Sequence, residues 1–229
     1  MRLEQVVPWG RSFSEYCQMF NLTDADLQSK ILDCGGGPAS FNADMTQRGA
    51  SVMSCDPLYQ FSVDEIAQRI EQTYPIVIKA TEVNRDNFVW TTIESPEKLG
   101  QIRIAAMQQF LTDFPLGLKQ GRYQHQSLPN LSFDSQQFDL ALCSHFLFLY
   151  SDQLSFEFHL ASIVEMCRVA TIVRIFPLLV NMTGETSPFL EPIMQELTVQ
   201  GYSIHTKQVP YEFQKGGNHL LQVTQNNKL

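Results

Sequence analysis

The segment that most constrains this chain is Asp33-Cys34-Gly35-Gly36-Gly37-Pro38-Ala39. It follows Lys30-Ile31-Leu32, a short apolar run that reads as a buried strand. It precedes Ser40-Phe41-Asn42-Ala43-Asp44-Met45, which reads as the first turns of a helix. Glycine reaches φ > 0 and lets a ligand approach the backbone with no Cβ in the way. A strand that ends in an acid and turns through glycines into a helix therefore gathers a carboxylate and several bare N–H groups at one point. Such a point suits a ligand that carries hydroxyls, an ammonium and a carboxylate. A tight turn with no ligand is the alternative.

The next strand supplies a second acid. Gly49 closes the intervening helix as a C′ residue does, residues 50–55 are apolar enough for a strand, and Asp56-Pro57 ends it. In an open α/β sheet, ligands lie outside the carboxyl ends of the strands, near the switch point. Asp56 there either accepts from both hydroxyls of a ribose or caps a turn before Pro57. Spacing argues against two other nucleotide motifs. The dinucleotide fingerprint needs a third glycine where Ser40 stands, and no Gly-Lys-Ser/Thr follows as a P-loop requires.

Ile31-Leu32-Asp33-Cys34-Gly35-Gly36-Gly37, followed by Val52-Met53-Ser54-Cys55-Asp56, resembles the first two motifs of class I S-adenosylmethionine-dependent methyltransferases. Residues 131–145, where Leu131-Ser132-Phe133 leads into Phe138-Asp139 and an apolar strand, resemble that family's stretch around its fourth strand. The resemblance covers roughly residues 29–229. It implies an α/β, Rossmann-like, seven-stranded mixed sheet of order 3-2-1-4-5-7-6 between helices. It implies S-adenosyl-L-methionine as methyl donor and S-adenosyl-L-homocysteine as product. The cofactor residues it implies are Asp33, Gly35, Gly36, Gly37, Asp56, Pro57 and Ser144, with Ser127 and Leu128 against the adenine. Many members carry an acid at the Ser127 position. The segment before the first strand often folds over the methionine end of the cofactor, so Arg11 is expected to meet its carboxylate and Tyr16 to close over it. A solvated arginine and a packed aromatic are the alternative.

Methyl transfer from a sulfonium is an in-line displacement, for which alignment does most of the work. No Asn/Asp-Pro-Pro-Tyr run is present, so the expected acceptor is a small molecule offering oxygen, nitrogen or carbon. His145 follows the fourth strand and is the candidate general base; otherwise it lines the cofactor pocket. The competing function is a non-catalytic S-adenosylmethionine- or nucleotide-binding protein of the same fold.

The net charge of -8 argues against nucleic acid as a partner. The five cysteines form no C-x-x-C pair, which fits reduced thiols and a cytoplasmic location. Met1-Arg2-Leu3-Glu4-Gln5 has no apolar leader, and the apolar run at 172–180 carries Arg174 and Pro177 and is too short to span a bilayer. No membrane partner and no metal are expected; the oligomeric state is open. Residues 1–229 read as a single domain with two appendages. Residues 1–28 form an N-terminal helical lid segment, and residues 74–118 an inserted helical cap or a packed excursion. Within the cap, Leu99, Ile102, Ala106 and Phe110 share a helical face after Ser95-Pro96. Further helices are expected at 62–70, 151–168 and 188–200, and strands at 121–126, 138–143, 169–176, 202–209 and 219–224.

Overall fold

The computed structural model describes residues 6–225. The expectations for residues 1–5, including the missing leader, and for 226–229 lie outside the described residues. Seven strands form one sheet: β1 (Ile31–Cys34), β2 (Val52–Cys55), β3 (Tyr123–Gln124), β4 (Phe138–Ser144), β5 (Ala170–Phe176), β6 (Tyr202–Gln208) and β7 (His219–Gln225). Their order is β3-β2-β1-β4-β5-β7-β6. β1 to β5 pair in parallel, and β7 runs antiparallel between β5 and β6. This is the expected Rossmann-like order of class I methyltransferases. The direction of winding reverses between β1 and β4, so the crevice of an open sheet falls above their carboxyl ends.

Helices cover both faces: α1 (Phe13–Met19), α2 (Asp24–Leu27), α3 (Phe41–Gln47), α4 (Val63–Val83), α5 (Pro96–Lys119), α6 (Phe156–Val169) and α7 (Leu190–Val199). Side chains alternate across a strand, and the two cores follow that alternation. Leu32, Cys34, Ala141, Cys143 and Val173 pack with Ile163, Met166 and Ile193 of α6 and α7. Ile31, Leu140 and Leu142 face Tyr16, Met19, Phe41 and Met45 of α1 and α3. A third cluster joins Ile66 and Ile70 of α4 to Met107, Phe110 and Phe114 of α5 and to Tyr59 and Tyr123.

Several boundaries differ from expectation. The helix expected over 62–70 continues to Val83 with Pro75 inside it. Ser62 caps it, its hydroxyl and the Glu65 carboxylate exchanging bonds with each other's backbone N–H. Proline within a helix forfeits one bond and costs about 3 kcal/mol. Val77 and Ala80, buried beyond the proline, supply the opposing packing. Residues 74–83 are thus the second half of α4. The cap region proper is a loop, a short 3-10 turn at Arg85–Asn87 and the long helix α5. On α5 the buried face runs through Leu99, Arg103, Ala106, Met107, Phe110 and Phe114, with Ile102 only half-buried. β3 shrinks to two residues, which pair with Ser54 and Cys55. The helix expected from 151 starts at Phe156, after a 3-10 turn at Phe148–Tyr150, because Ser155 is the residue whose hydroxyl caps it. No helix among the described residues is long and apolar enough to cross a membrane.

Candidate functional site

A cavity of about 380 Å³ opens above the carboxyl ends of β1, β2 and β4. Its floor is the glycine turn. Gly35 and Gly37 have φ of 66° and 52°, a backbone conformation that L side chains rarely adopt. A side chain on Gly36 would overlap the Asp33 carboxylate and crowd the Tyr59 hydroxyl. The three glycines therefore answer to geometry as well as to any ligand.

Asp56 ties the floor to β2. Its Oδ2 accepts from the Gly37 N–H at 3.0 Å and its Oδ1 from the Leu58 N–H at 2.7 Å. The second bond caps the 3-10 turn Pro57–Gln60. Each carboxylate oxygen retains a lone pair for a further donor. Burial pushes the Asp56 carboxyl up, against the two amide bonds that favour its charged form.

Nearly all the cofactor residues expected from the sequence line this one cavity: Gly35, Gly36, Gly37, Asp56, Pro57, Ser127, Leu128, Ser144, Arg11 and Tyr16, and His145 with them. Asp33 is the exception. Being on the face of β1 that meets α1 and α3, it is 1% exposed and lies behind the turn. It accepts from Tyr16 Oη and Ser54 Oγ, each at 3.1 Å. Burial pushes its carboxyl up to about 7, against those two bonds and together with the Asp56 charge. Its carboxylate ties α1 to β2 behind the turn and is absent from the cavity wall.

The N-terminal segment crosses the glycine turn. Ser40 N–H donates to the Arg11 carbonyl at 3.0 Å, and a side chain at Gly10 would overlap the Pro38 carbonyl. This close approach carries Arg11 and Tyr16 over the floor. Arg11 donates to the Trp9 carbonyl, its buried Nε–H has no partner, and among the described residues no carboxylate pairs with it. Burial, with Arg103 nearby, lowers its pKa to about 10, still charged at neutral pH.

Sequence reasoning missed the buried group beside it. Arg103 of α5, 1% exposed, donates Nη1 to both carboxylate oxygens of Glu15 at 2.6 Å. Tyr211, in the loop between β6 and β7, donates its hydroxyl to Glu15 Oε1 at 3.0 Å, and Ser12 N–H donates to Oε2 at 3.0 Å. Burial opposes ionisation of Glu15, but the Arg103 charge and bonds prevail and hold it down at about 2. The one available signal was a cation on the apolar stripe of α5. His145, with φ of 52°, sets Nδ1 2.9 Å from Ser144 Oγ and packs its ring against Phe176. Burial, then Arg11 and Arg103, hold its pKa well below the ordinary value, so its ring is neutral at pH 7. Val77, Phe88, Met182 and Phe213 form an apolar wall further out, where Phe88 and Phe213 stack at 4.9 Å.

No family model matches the chain. A protein of Methanocaldococcus jannaschii described as uncharacterized protein MJ0045 is 33% identical over 222 residues, which is 96% of this chain and 97% of that protein. The chain belongs to the same family as this archaeal protein. Among solved structures, magnesium protoporphyrin IX methyltransferase from Synechocystis PCC 6803, with bound S-adenosylmethionine, is 17% identical with a TM-score of 0.47; the match covers 89% of this chain and 73% of that one. A putative S-adenosylmethionine-dependent methyltransferase from Methanococcus maripaludis is 10% identical with a TM-score of 0.47, over 95% of this chain and 84% of that one. The fold assignment rests on the strand order and pairing themselves.

Proposed function

We propose that this protein is an S-adenosylmethionine-dependent methyltransferase acting on a small-molecule acceptor. The observation that carries the reading is the bond between Gly37 N–H and Asp56 Oδ2 on the wall of a cavity at the switch point of the sheet. The Gly35 and Gly36 N–H groups are held by the Cys55 carbonyl and Gly37 N–H by Asp56, so the turn offers close backbone approach without side chains and Asp56 offers its remaining lone pairs within one ligand's length. On this reading Asp56 accepts from the ribose and the turn from Gly35 to Gly37 lies under the methionine portion. Pro57, Ser127 and Leu128 border the adenine. Arg11 offers its unpaired charge to the cofactor carboxylate, and Tyr16 and Ser144 flank the same end. Asp33 acts indirectly, by holding the Tyr16 hydroxyl.

When bound, the cofactor supplies an already activated methyl group. The chain's part is to orient it, exclude water and align a nucleophile. The N-terminal segment and the cap, made of the loop after α4 and of α5, act as the lid, because both border the cavity through Trp9, Arg11, Phe88, Leu99 and Arg103. His145, held by Ser144, lines the pocket near the methyl group. Isothermal titration with S-adenosylhomocysteine, S-adenosylmethionine and NAD tests the cofactor. Binding of the first two and not of the third is expected; binding of NAD alone would refute the reading. Hydrogen exchange of the two lid segments should slow when S-adenosylhomocysteine is added, and equal exchange would make them fixed packing.

A further inference from the structure

At the inner end of the cavity the charges do not balance. Among the described residues, the titratable side chains lining it there are Arg11, Tyr16, Arg103, His145, Tyr150 and Tyr211. Glu15 is the carboxylate behind them, and Arg103 Nη1, Tyr211 Oη and Ser12 N–H already use it. Among the described residues, Arg103 and Glu15 cancel, leaving Arg11 as a net positive charge. The other carboxylates of the site lie elsewhere: Asp56 holds Gly37 and Leu58 at the ribose end, and Asp33 is held by Tyr16 and Ser54 behind the turn. Arg69, over the Phe61 ring, is exposed to water. Two further donors wait at the inner end, since Nε of both Arg11 and Arg103 is buried without a partner. Buried donors left unpaired are costly, and a charged acceptor repays them most.

A zwitterionic methionine tail brings no net charge, and the sulfonium adds one positive. With the cofactor in place, the enclosed end therefore holds an excess of positive charge in a poorly screened setting. The outer wall of Val77, Phe88, Met182 and Phe213 offers apolar surface, two of its side chains aromatic, and carries no charged group. From the two-arginine, one-carboxylate cluster against this apolar wall, we infer that the methyl acceptor is an anionic oxygen acid on a flat apolar body, such as an aromatic carboxylate or phenolate. This inference rests on the cofactor reading given above.

The transfer balances without a proton. A lone pair of the anionic oxygen forms the new O–C bond, the C–S bond breaks with its electron pair going to sulfur, and the products are a neutral methyl ester or ether and S-adenosylhomocysteine. No base is consumed, which suits the neutral ring of His145 held by Ser144. A cationic amine acceptor would instead add a like charge beside Arg11.

The test is titration of matched probes into the protein saturated with S-adenosylhomocysteine: benzoate and naphthoate, each against its amide and its arylmethylammonium counterpart. The carboxylates should bind about tenfold or more tightly than their amides, and the ammonium compounds weakest. Arg11→Gln, kept saturated with S-adenosylhomocysteine, should bring the ratio of carboxylate to amide affinity close to one. Absence of a carboxylate preference in both series would overturn the inference and leave the cofactor reading standing. Carboxylate binding that weakens as S-adenosylhomocysteine is raised would also overturn it, because the anion would then occupy the cofactor's own carboxylate position. Failure of S-adenosylhomocysteine to bind at all would remove the cofactor reading, and the inference with it.

Discussion

Asp33→Asn should change how stability depends on pH more than it changes stability at any one pH. In the fold the Asp33 carboxyl is raised to about 7 because burial penalises its charge more than Tyr16 and Ser54 favour it. In the unfolded chain an aspartate titrates near its ordinary value of about 3.9. A raised carboxyl contributes stability that is fully present below the unfolded pKa and is lost as pH climbs through the folded one. One pKa unit corresponds to about 1.4 kcal/mol, so the roughly three units here amount to about 4 kcal/mol across the whole window. Between about pH 5 and pH 8 the loss is about 3 kcal/mol. Asparagine has nearly the same shape, accepts from Tyr16 through its carbonyl and donates to Ser54, and does not ionise. Urea unfolding of both proteins through this range gives the difference in stability directly. The variant should gain on the parent by about 3 kcal/mol as pH rises. The comparison cancels Glu15, whose depressed carboxyl acts the other way, contributing stability that is lost as pH falls towards about 2. Parallel pH profiles within about 0.5 kcal/mol would refute the account, and would mean that Asp33 titrates alike in both states.

Asp56→Ala should weaken S-adenosylhomocysteine binding by about tenfold to a hundredfold, through loss of charge-assisted bonds to the ribose. The same change should lower the apo protein's stability by about 1–3 kcal/mol, because Gly37 and Leu58 lose their acceptor; unchanged affinity in calorimetry would take Asp56 out of the site. Arg103→Met leaves the Glu15 carboxylate buried without its ion and should cost about 3–5 kcal/mol in urea unfolding, most of it recovered when Glu15→Gln is added. Additive losses in the double variant would show that the two side chains are not coupled. His145→Ala should reduce turnover and cofactor affinity together, each by less than about tenfold, whereas a loss of about 10²–10⁴ in rate alone would make it the general base.

The glycine turn and Asp56 were legible because their chemistry is local. Spacing along the chain decides where a strand end meets a helix start, and the order of the sheet follows from the resemblance those residues carry. The end of α4 was not legible in the same way. Glu71-Gln72-Thr73 and Pro75 read locally as a stop, and only burial of Val77 and Ala80 against neighbours remote in sequence carries the helix on. Asp33 illustrates a subtler failure. Period-two alternation assigns it to the same face as Ile31, under α1 and α3, yet its neighbours in sequence are the glycines of the cavity floor. Arg103 was silent for the opposite reason. A lone arginine on an apolar stripe announces that something must neutralise it, but Glu15 stands 88 residues away and nothing in the sequence connects the two.

The long reach of that ion pair has a consequence for the order in which the protein is made. Of the three, Glu15 leaves the ribosome first, Arg103 follows 88 residues later, and Tyr211 closes the group 196 residues after Glu15. During synthesis a chain long enough to form β1, β2 and β4 already owns the cavity floor, but its inner wall is open until the loop after β6 is translated. At elongation rates of about 5–20 residues per second, the roughly 67 residues from Ser144 to Tyr211 take about 3–13 seconds. A nascent or C-terminally clipped chain that stops short of that loop has the cavity floor and lacks Tyr211 on its inner wall.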